Sequence, residues 1–242
     1  MSLLTICQNA SDELEILEPT SVIGNPNSEV QKLLRLANKV GYRLMKVFNW
    51  QVLTKETTYT SVATEEQTSF LAADFDRFCP ETMWDRTDQY LISGPITGTE
   101  WQGLKATTYS DTEHRKFRYR GGSVYIIPTM SAGKTIAYEY ISKNWCQDSS
   151  LTGQSVWAAD DDTGILDEEL ITKGVVWEYL NAESLPNASQ AAAYEEYFNI
   201  LIENDRPNED ILVAGAIFGG SRGRGSRHFT GGPPVRGSGG LF

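Results

Sequence analysis

The first fifth of the chain has the apolar periodicity of two amphipathic helices. The spacing predicts one helix at the N-terminus and a longer one over residues 28–49. Ser28 with Gln31 has the pattern of a capping box at the start of the longer helix. The apolar positions at helical spacing are Leu3, Ile6, Cys7, Ala10 and Leu14 in the first helix, and Val30, Leu33, Leu34, Ala37, Val40, Leu44, Val47 and Phe48 in the second.

Between about residues 50 and 145 the helical period fades, and β-branched and aromatic residues become frequent. The clearest element is a hairpin over 116–127, whose arms alternate around Gly121-Gly122. A third strand follows at 134–141, where Ile136, Tyr138 and Tyr140 share one face. We expect this strand and the hairpin to form one small antiparallel sheet.

Helical spacing returns near the C-terminus. Asp167 is placed to cap one helix, and Asn187 with Gln190 is placed to open another, which ends before Pro207. Beyond Phe218 the residues are mainly Gly, Ser, Arg and Pro, a composition that cannot bury a core. The pattern divides the chain into helical segments at 1–50 and 160–206, a β-rich insertion at 51–159, and an extended C-terminal tail at 207–242.

Charge separates the tail from the rest of the chain. The 242 residues carry a net charge of −11, yet residues 219–242 contain four arginines and no acid. Residues 1–218 therefore hold 17 basic and 32 acidic residues, a net charge of −15. A body this acidic repels DNA phosphates, which argues against a conventional nucleic-acid-binding domain. No apolar run approaches the ~20 residues that span a bilayer, and no signal peptide is expected.

Patterns that would indicate catalysis are incomplete. Gly133-Lys134-Thr135 matches only the end of a phosphate-binding loop, and the GxSxG letters at 219–223 have no flanking strand and helix. His114 and His228, the two histidines, have no recognisable partner, and the acidic run 160–164 is interpreted as a solvated turn or a weak cation site. Three cysteines without a CxxC pair indicate a reducing compartment. We therefore expect no catalytic residue, cofactor or metal.

Aromatic residues are concentrated between positions 75 and 101, among polar and turn residues rather than on one regular face. Such residues fill either a core or an interface. We predict that they belong to a subunit or tail interface. The candidates are Phe75, Phe78, Trp84, Tyr90 and Trp101.

Several segments, in order along residues 1–205, together carry a family resemblance. The longest is Phe70-Leu-Ala-Ala-Asp-Phe-Asp-Arg-Phe-Cys-Pro-Glu-Thr-Met-Trp-Asp-Arg86. The others are Leu4-Thr-Ile-Cys7, Phe48-Asn-Trp50, Ser93-Gly-Pro-Ile96 with Glu100-Trp101, Tyr119-Arg-Gly-Gly-Ser-Val-Tyr-Ile-Ile-Pro128, Ala132-Gly-Lys-Thr-Ile136 and Tyr138-Glu-Tyr-Ile-Ser-Lys-Asn-Trp145. Together these segments resemble head–tail adaptor proteins of tailed bacteriophages. The Gly/Arg-rich tail lies outside this resemblance.

The resemblance implies a non-catalytic virion protein, assembled in the host cytoplasm, that forms a ring of twelve copies. Such a ring joins the portal protein to the tail nozzle or tube, and double-stranded DNA passes through it without specific binding. The implied fold class is α+β and mainly α, a helical bundle with an inserted small antiparallel sheet and a flexible tail. No membrane partner is implied.

The tail is the predicted portal-binding segment. Its arginines can pair with portal carboxylates, and its apolar residues can enter pockets. The candidate residues are Arg222, Arg224, Arg227, Phe229, Arg236, Leu241 and Phe242. Two other functions stay open: a nucleic-acid-binding protein that acts through this tail, and a tail-associated cell-wall hydrolase.

Overall fold

A computed structural model describes residues 1–107 and 109–206. The predicted tail at 207–242, with all seven of its candidate residues, lies outside the described residues. The described helices are α1 (Leu3–Glu13), α2 (Ser28–Val47), α3 (Gly98–Ala106), α4 (Glu168–Ala182) and α5 (Ala188–Asp205). The described strands are β1 (Thr54–Thr60), β2 (Glu66–Gln67), β3 (Phe75–Phe78), β4 (Trp84–Asp85), β5 (Tyr90–Leu91), β6 (Lys116–Arg120), β7 (Ser123–Ile127), β8 (Thr135–Ser142), β9 (Cys146–Gln147), β10 (Gly153–Gln154) and β11 (Thr163–Gly164).

Local sequence accounts for the starts of the main helices. Helix α2 begins one residue away from the predicted capping box, because Asn27 rather than Ser28 is the N-cap and accepts the N–H of Glu29. The predicted cap of α4 is confirmed, since the Asp167 carboxylate accepts the N–H of Leu170. Glu168 and Glu169 follow in the first turn, where the helix dipole favours acids.

The strands form three antiparallel sheets within the described residues. In the largest sheet β8 is central: β1 pairs along one side of it, and β3 and β4 pair along the other, with β5 beyond β4. The second sheet has the order β2-β7-β6, and β9, β10 and β11 make the third. The predicted hairpin is present as β6 and β7. The expectation that the third strand joins this hairpin is wrong, because β8 belongs to the other sheet.

Two hydrophobic cores lie in the described part of the chain. The first, the helical core, contains the apolar sides of α1, α2 and α4 together with Trp145 and Trp157. The second, the β core, consists of residues from strands and loops, including Phe70, Phe117 and Tyr138. Strand β8 contributes to both, since Ile141 packs in the first core while Ile136, Tyr138 and Tyr140 share a face in the second. This buried central strand explains why residues 1–205 form one compact unit.

The predicted fold class, a mainly α helical bundle with a small inserted sheet, is wrong. Helices account for 37% and strands for 21%, and the fold is a mixed one with three antiparallel sheets in its described residues. The reason is physical: the β-rich part has a hydrophobic core of its own. Six of the eleven described strands are two residues long, and strands this short leave no period-2 pattern in a sequence.

Candidate functional site

The outer face of the largest sheet carries a groove of about 290 Å³ beside β1. On β8, alternate residues point to opposite faces, so Ala137 and Glu139 lie on the face away from the β core. The β1–β8 register places Glu56 directly opposite Glu139, and the β4–β8 register places Trp84 opposite Ala137. The groove is lined by Glu56, Glu81, Thr82, Trp84, Arg86, Ala137, Tyr138 and Glu139.

The electrostatics of this groove are acidic. Arg86 donates to a carboxylate oxygen of Glu56 at 2.8 Å. Neither Glu81 nor Glu139 has an ion-pair partner within residues 1–107 and 109–206. Three carboxylates and one guanidinium therefore line the groove next to an exposed indole, and their formal net charge is −2. This combination favours the binding of a cationic group that can also stack on an aromatic ring.

Asp74 links β1 to β8 on the face of the sheet that contributes to the β core. It accepts hydrogen bonds from Lys55 at 2.7 Å, from Tyr140 at 2.8 Å and from Ser142 at 2.8 Å. Partial burial alone would raise the pKa of Asp74, but these three donors outweigh burial and lower that pKa to about 2. Burial, followed by the bond to Asp74, raises the pKa of Tyr140. The arrangement is a structural clamp on the strand pair.

A buried charge cluster stabilises the turn after β4. The Asp85 carboxylate is fully buried and accepts the N–H groups of Thr87 and Asp88, each at 3.0 Å. Arg115 is also buried, and its Nη1 lies 3.7 Å from the second carboxylate oxygen of Asp85. Lys134 pairs with Asp88. In the Gly133-Lys134-Thr135 triplet, the lysine therefore forms this ion pair. Gly133 takes a φ of +87° in the turn before it, a conformation that favours glycine.

The five predicted interface aromatics do not form one surface. Phe75 and Phe78 are half-buried, have ring centroids 4.6 Å apart, and pack in the β core. Trp101 is only 2% exposed and packs edge-on against Tyr125. Trp84 is 45% and Tyr90 37% exposed. Their register, with Tyr90 opposite Asp85, places these last two on opposite faces of the sheet.

Two sequence interpretations of polar residues are corrected by the structure. The acidic run is not a solvated turn throughout: Asp160 accepts the N–H groups of Val22 and Ile23, and buried Asp162 accepts those of Ala158 and Ala159. Asp160 thereby holds the connection between α1 and α2 against the loop before β11, and Asp162 stabilises a turn within that loop. His114 does have a partner, since its Nδ1 lies 2.9 Å from a carboxylate oxygen of Asp111 on an exposed loop.

No known family profile matches the chain, and no curated protein sequence matches it significantly. Over the described ranges, no three His, Cys, Asp or Glu side chains are grouped so that they could hold a metal ion. No described helix is both long enough and apolar enough to cross a membrane. Among the described residues, the acidic groove beside β1 is thus the site with the clearest chemical character.

Sequence reasoning missed this groove. Glu56, Glu81 and Glu139 are spread over more than eighty positions, and their neighbours in the chain differ, since Glu139 lies between two tyrosines and Glu56 among threonines and a lysine. Only the register of β1 and β8 places Glu56 opposite Glu139. Trp84 was singled out as an interface residue from its polar surroundings, and it is the one candidate that lines the groove.

Proposed function

We propose that the chain is a structural head–tail adaptor of a tailed bacteriophage. Twelve copies form a ring between the portal protein and the tail nozzle or tube, and double-stranded DNA passes through that ring without specific binding. The observation that carries the proposal is the ordered set of adaptor-like segments over residues 1–205. The places of these segments support it, because Ile6 and Cys7 lie in the helical core, whereas Phe70 and Tyr138 lie in the β core.

The distribution of charge also supports this function. Helix α5 carries Glu195, Glu196, Glu203 and Asp205 and contains no lysine or arginine. Only Tyr194 of this helix is buried. A strongly acidic helix of this kind favours free passage of DNA along it, because phosphates are repelled and do not adhere.

The decisive experiment images the purified chain by negative-stain electron microscopy, alone and mixed with portal rings of the phage that encodes it. We expect a twelve-fold ring seated on the portal. A matched pair of variants separates the role of the tail: one chain ends after Phe218, and the other keeps its full length with Arg222, Arg224 and Arg227 changed to alanine. Both should bind the portal at least tenfold more weakly.

The outcomes distinguish the parts of the proposal. A full-length chain that never associates with the portal contradicts the adaptor function itself. If truncation leaves portal binding unchanged, the adaptor function stands and the docking role of the tail is wrong. A salt-sensitive gel shift with DNA that disappears on truncation, without portal binding, would assign the chain to the nucleic-acid-binding class instead.

A further inference from the structure

The orientation of the hydrogen bonds around β8 shows which backbone groups of β1 face outward. Arg86 N–H donates to the carbonyl of Thr135 at 2.8 Å, and Cys79 N–H donates to that of Glu139 at 3.0 Å. The backbone groups of these odd-numbered residues of β8 therefore point toward β3 and β4. Because bonding direction alternates along a strand, the even-numbered residues of β8 bond to β1.

The partners of those even-numbered residues are Lys55, Thr57 and Tyr59. The N–H and C=O groups of Glu56, Thr58 and Thr60 must then point away from the sheet. All three residues are exposed, and their backbone groups have no hydrogen-bond partner within the described ranges. Within the described residues, strand β1 is thus an open edge from Glu56 to Thr60, whereas the N–H of Thr54 at its start donates to the carbonyl of Gln51.

The edge of β1 carries one lysine, Lys55, and otherwise lacks the features with which proteins usually block an edge. Its sequence, Thr-Lys-Glu-Thr-Thr-Tyr-Thr, is rich in strand-forming residues, contains no proline, and pairs with β8 without a bulge. Its two charges are already paired, Lys55 with Asp74 and Glu56 with Arg86.

The edge of β6 is protected, by contrast. There Phe117 N–H donates to Ser93 and its carbonyl accepts from Ile96, each at 2.9 Å, so the segment after β5 covers this edge. Among the described residues, the edge of β6 is therefore covered and the edge of the longer β1 is not.

We propose that β1 is a docking edge for an extended segment of a partner protein that carries a basic side chain on the outer face of the sheet. An added strand lies about 4.8 Å from β1, so its outward side chains stand directly beside Glu56 and the acidic groove. Glu81 and Glu139 supply carboxylates that Arg86 leaves unpaired, and the exposed Trp84 lines the same groove, where a guanidinium can stack on its indole. The backbone of the edge provides affinity, and the groove selects a basic partner.

The test uses the full-length chain and short synthetic peptides in which valine alternates with arginine or, in the control peptide, with glutamate. We expect the arginine peptide to bind and the glutamate peptide to bind at least tenfold more weakly. Thr58→Pro should weaken binding of the arginine peptide at least tenfold, because it removes an N–H that faces solvent while the bonds from β1 to β8 remain. Thr58→Val keeps that N–H and should bind like the wild type. Glu139→Gln should weaken binding about threefold and reduce its dependence on salt.

Amide hydrogen exchange on the wild-type chain tests the proposal without relying on a proline variant. Addition of the arginine peptide should slow exchange at Glu56, Thr58 and Thr60 and leave Lys55, Thr57 and Tyr59 unchanged. Absence of binding at about 1 mM peptide, or equal binding of both peptides, would overturn the proposal. Self-association that Thr58→Pro abolishes, without peptide binding, would assign the edge to a second copy and overturn it as well. Portal binding by Thr58→Pro reports separately on the adaptor function, so the two proposals can fail independently.

Discussion

The packing of Gly41 against Trp145 gives the most sharply defined test of the structure. A Cβ atom at Gly41 in α2 would lie 2.2 Å from Cζ3 and 2.4 Å from Cη2 of Trp145, well inside van der Waals contact. Trp145 is fully buried and packs edge-on against buried Trp157, with ring centroids 5.1 Å apart. The indole of Trp145 can therefore move away from α2 only by displacing the indole of Trp157. We predict that Gly41→Ala destabilises the protein.

The loss in the free energy of unfolding of Gly41→Ala is the difference between two opposing effects. Overpacking a dense core costs about 1–3 kcal/mol, and a contact this short belongs at the upper end of that range. Alanine is a better helix former than glycine by about 1 kcal/mol, which offsets part of the cost. The net loss in the free energy of unfolding is about 2 kcal/mol, which lowers Tm by about 4–8 °C for a domain of this size.

Gly103→Ala is the matched control for this prediction. Gly103 lies on the exposed side of α3, and no atom lies within 4 Å of an added Cβ. Alanine there should raise the free energy of unfolding by up to about 1 kcal/mol. Differential scanning calorimetry of both variants measures the contrast. If Gly41→Ala raises Tm in parallel with Gly103→Ala, the close approach of α2 to Trp145 is wrong.

Two further predictions concern carboxylates that are held by several donors. Because the pKa of Asp74 is lowered to about 2 in the folded state, its contribution of about 1–2 kcal/mol is present above pH 4 and is lost as the pH falls toward 2. The gap in urea-unfolding free energy between wild type and Asp74→Asn should therefore close over that interval, and a gap independent of pH would contradict this. Burial would raise the pKa of Glu178, but its contacts with Lys39 and Arg43 outweigh burial and lower it. Glu178→Gln should cost about 1–2 kcal/mol by urea titration and the exposed control Glu195→Gln less than about 0.5 kcal/mol; equal effects would show that the ion pairs contribute nothing.

The elements with strong local signals could be predicted from the sequence. Helix α2 has a wide apolar stripe and ends two residues from its predicted limit, and the glycine pair at 121–122 marks the β6–β7 hairpin. The cap at Asp167 is likewise local, since it depends on residues three positions apart. Each of these features is decided by neighbours in the chain.

Predictions that needed long-range pairing were the ones that failed. Strand β8 was assigned to the hairpin because it follows the hairpin in sequence, yet it pairs with β1, about eighty residues earlier. The fold class was wrong for the same reason, because two-residue strands such as β4 and β5 exist only by pairing with a partner. The sequence could not show that Trp101 is buried and Trp84 exposed, because the burial of an indole depends on which parts of the fold pack over it.

The sequence by itself determined helices α1, α2, α4 and α5, the hairpin turn at Gly121-Gly122, and the division of charge between an acidic body and a basic tail. These properties depend on spacing and composition, which are local or additive. Helix α3 lies inside the segment that was predicted to be β-rich and was missed. Only the tertiary structure decided that Glu56, Glu81 and Glu139 meet in one groove and that β1 is left as an open edge. Both depend on strand register, and register is selected by the packing of the whole sheet against its cores, which no local pattern encodes.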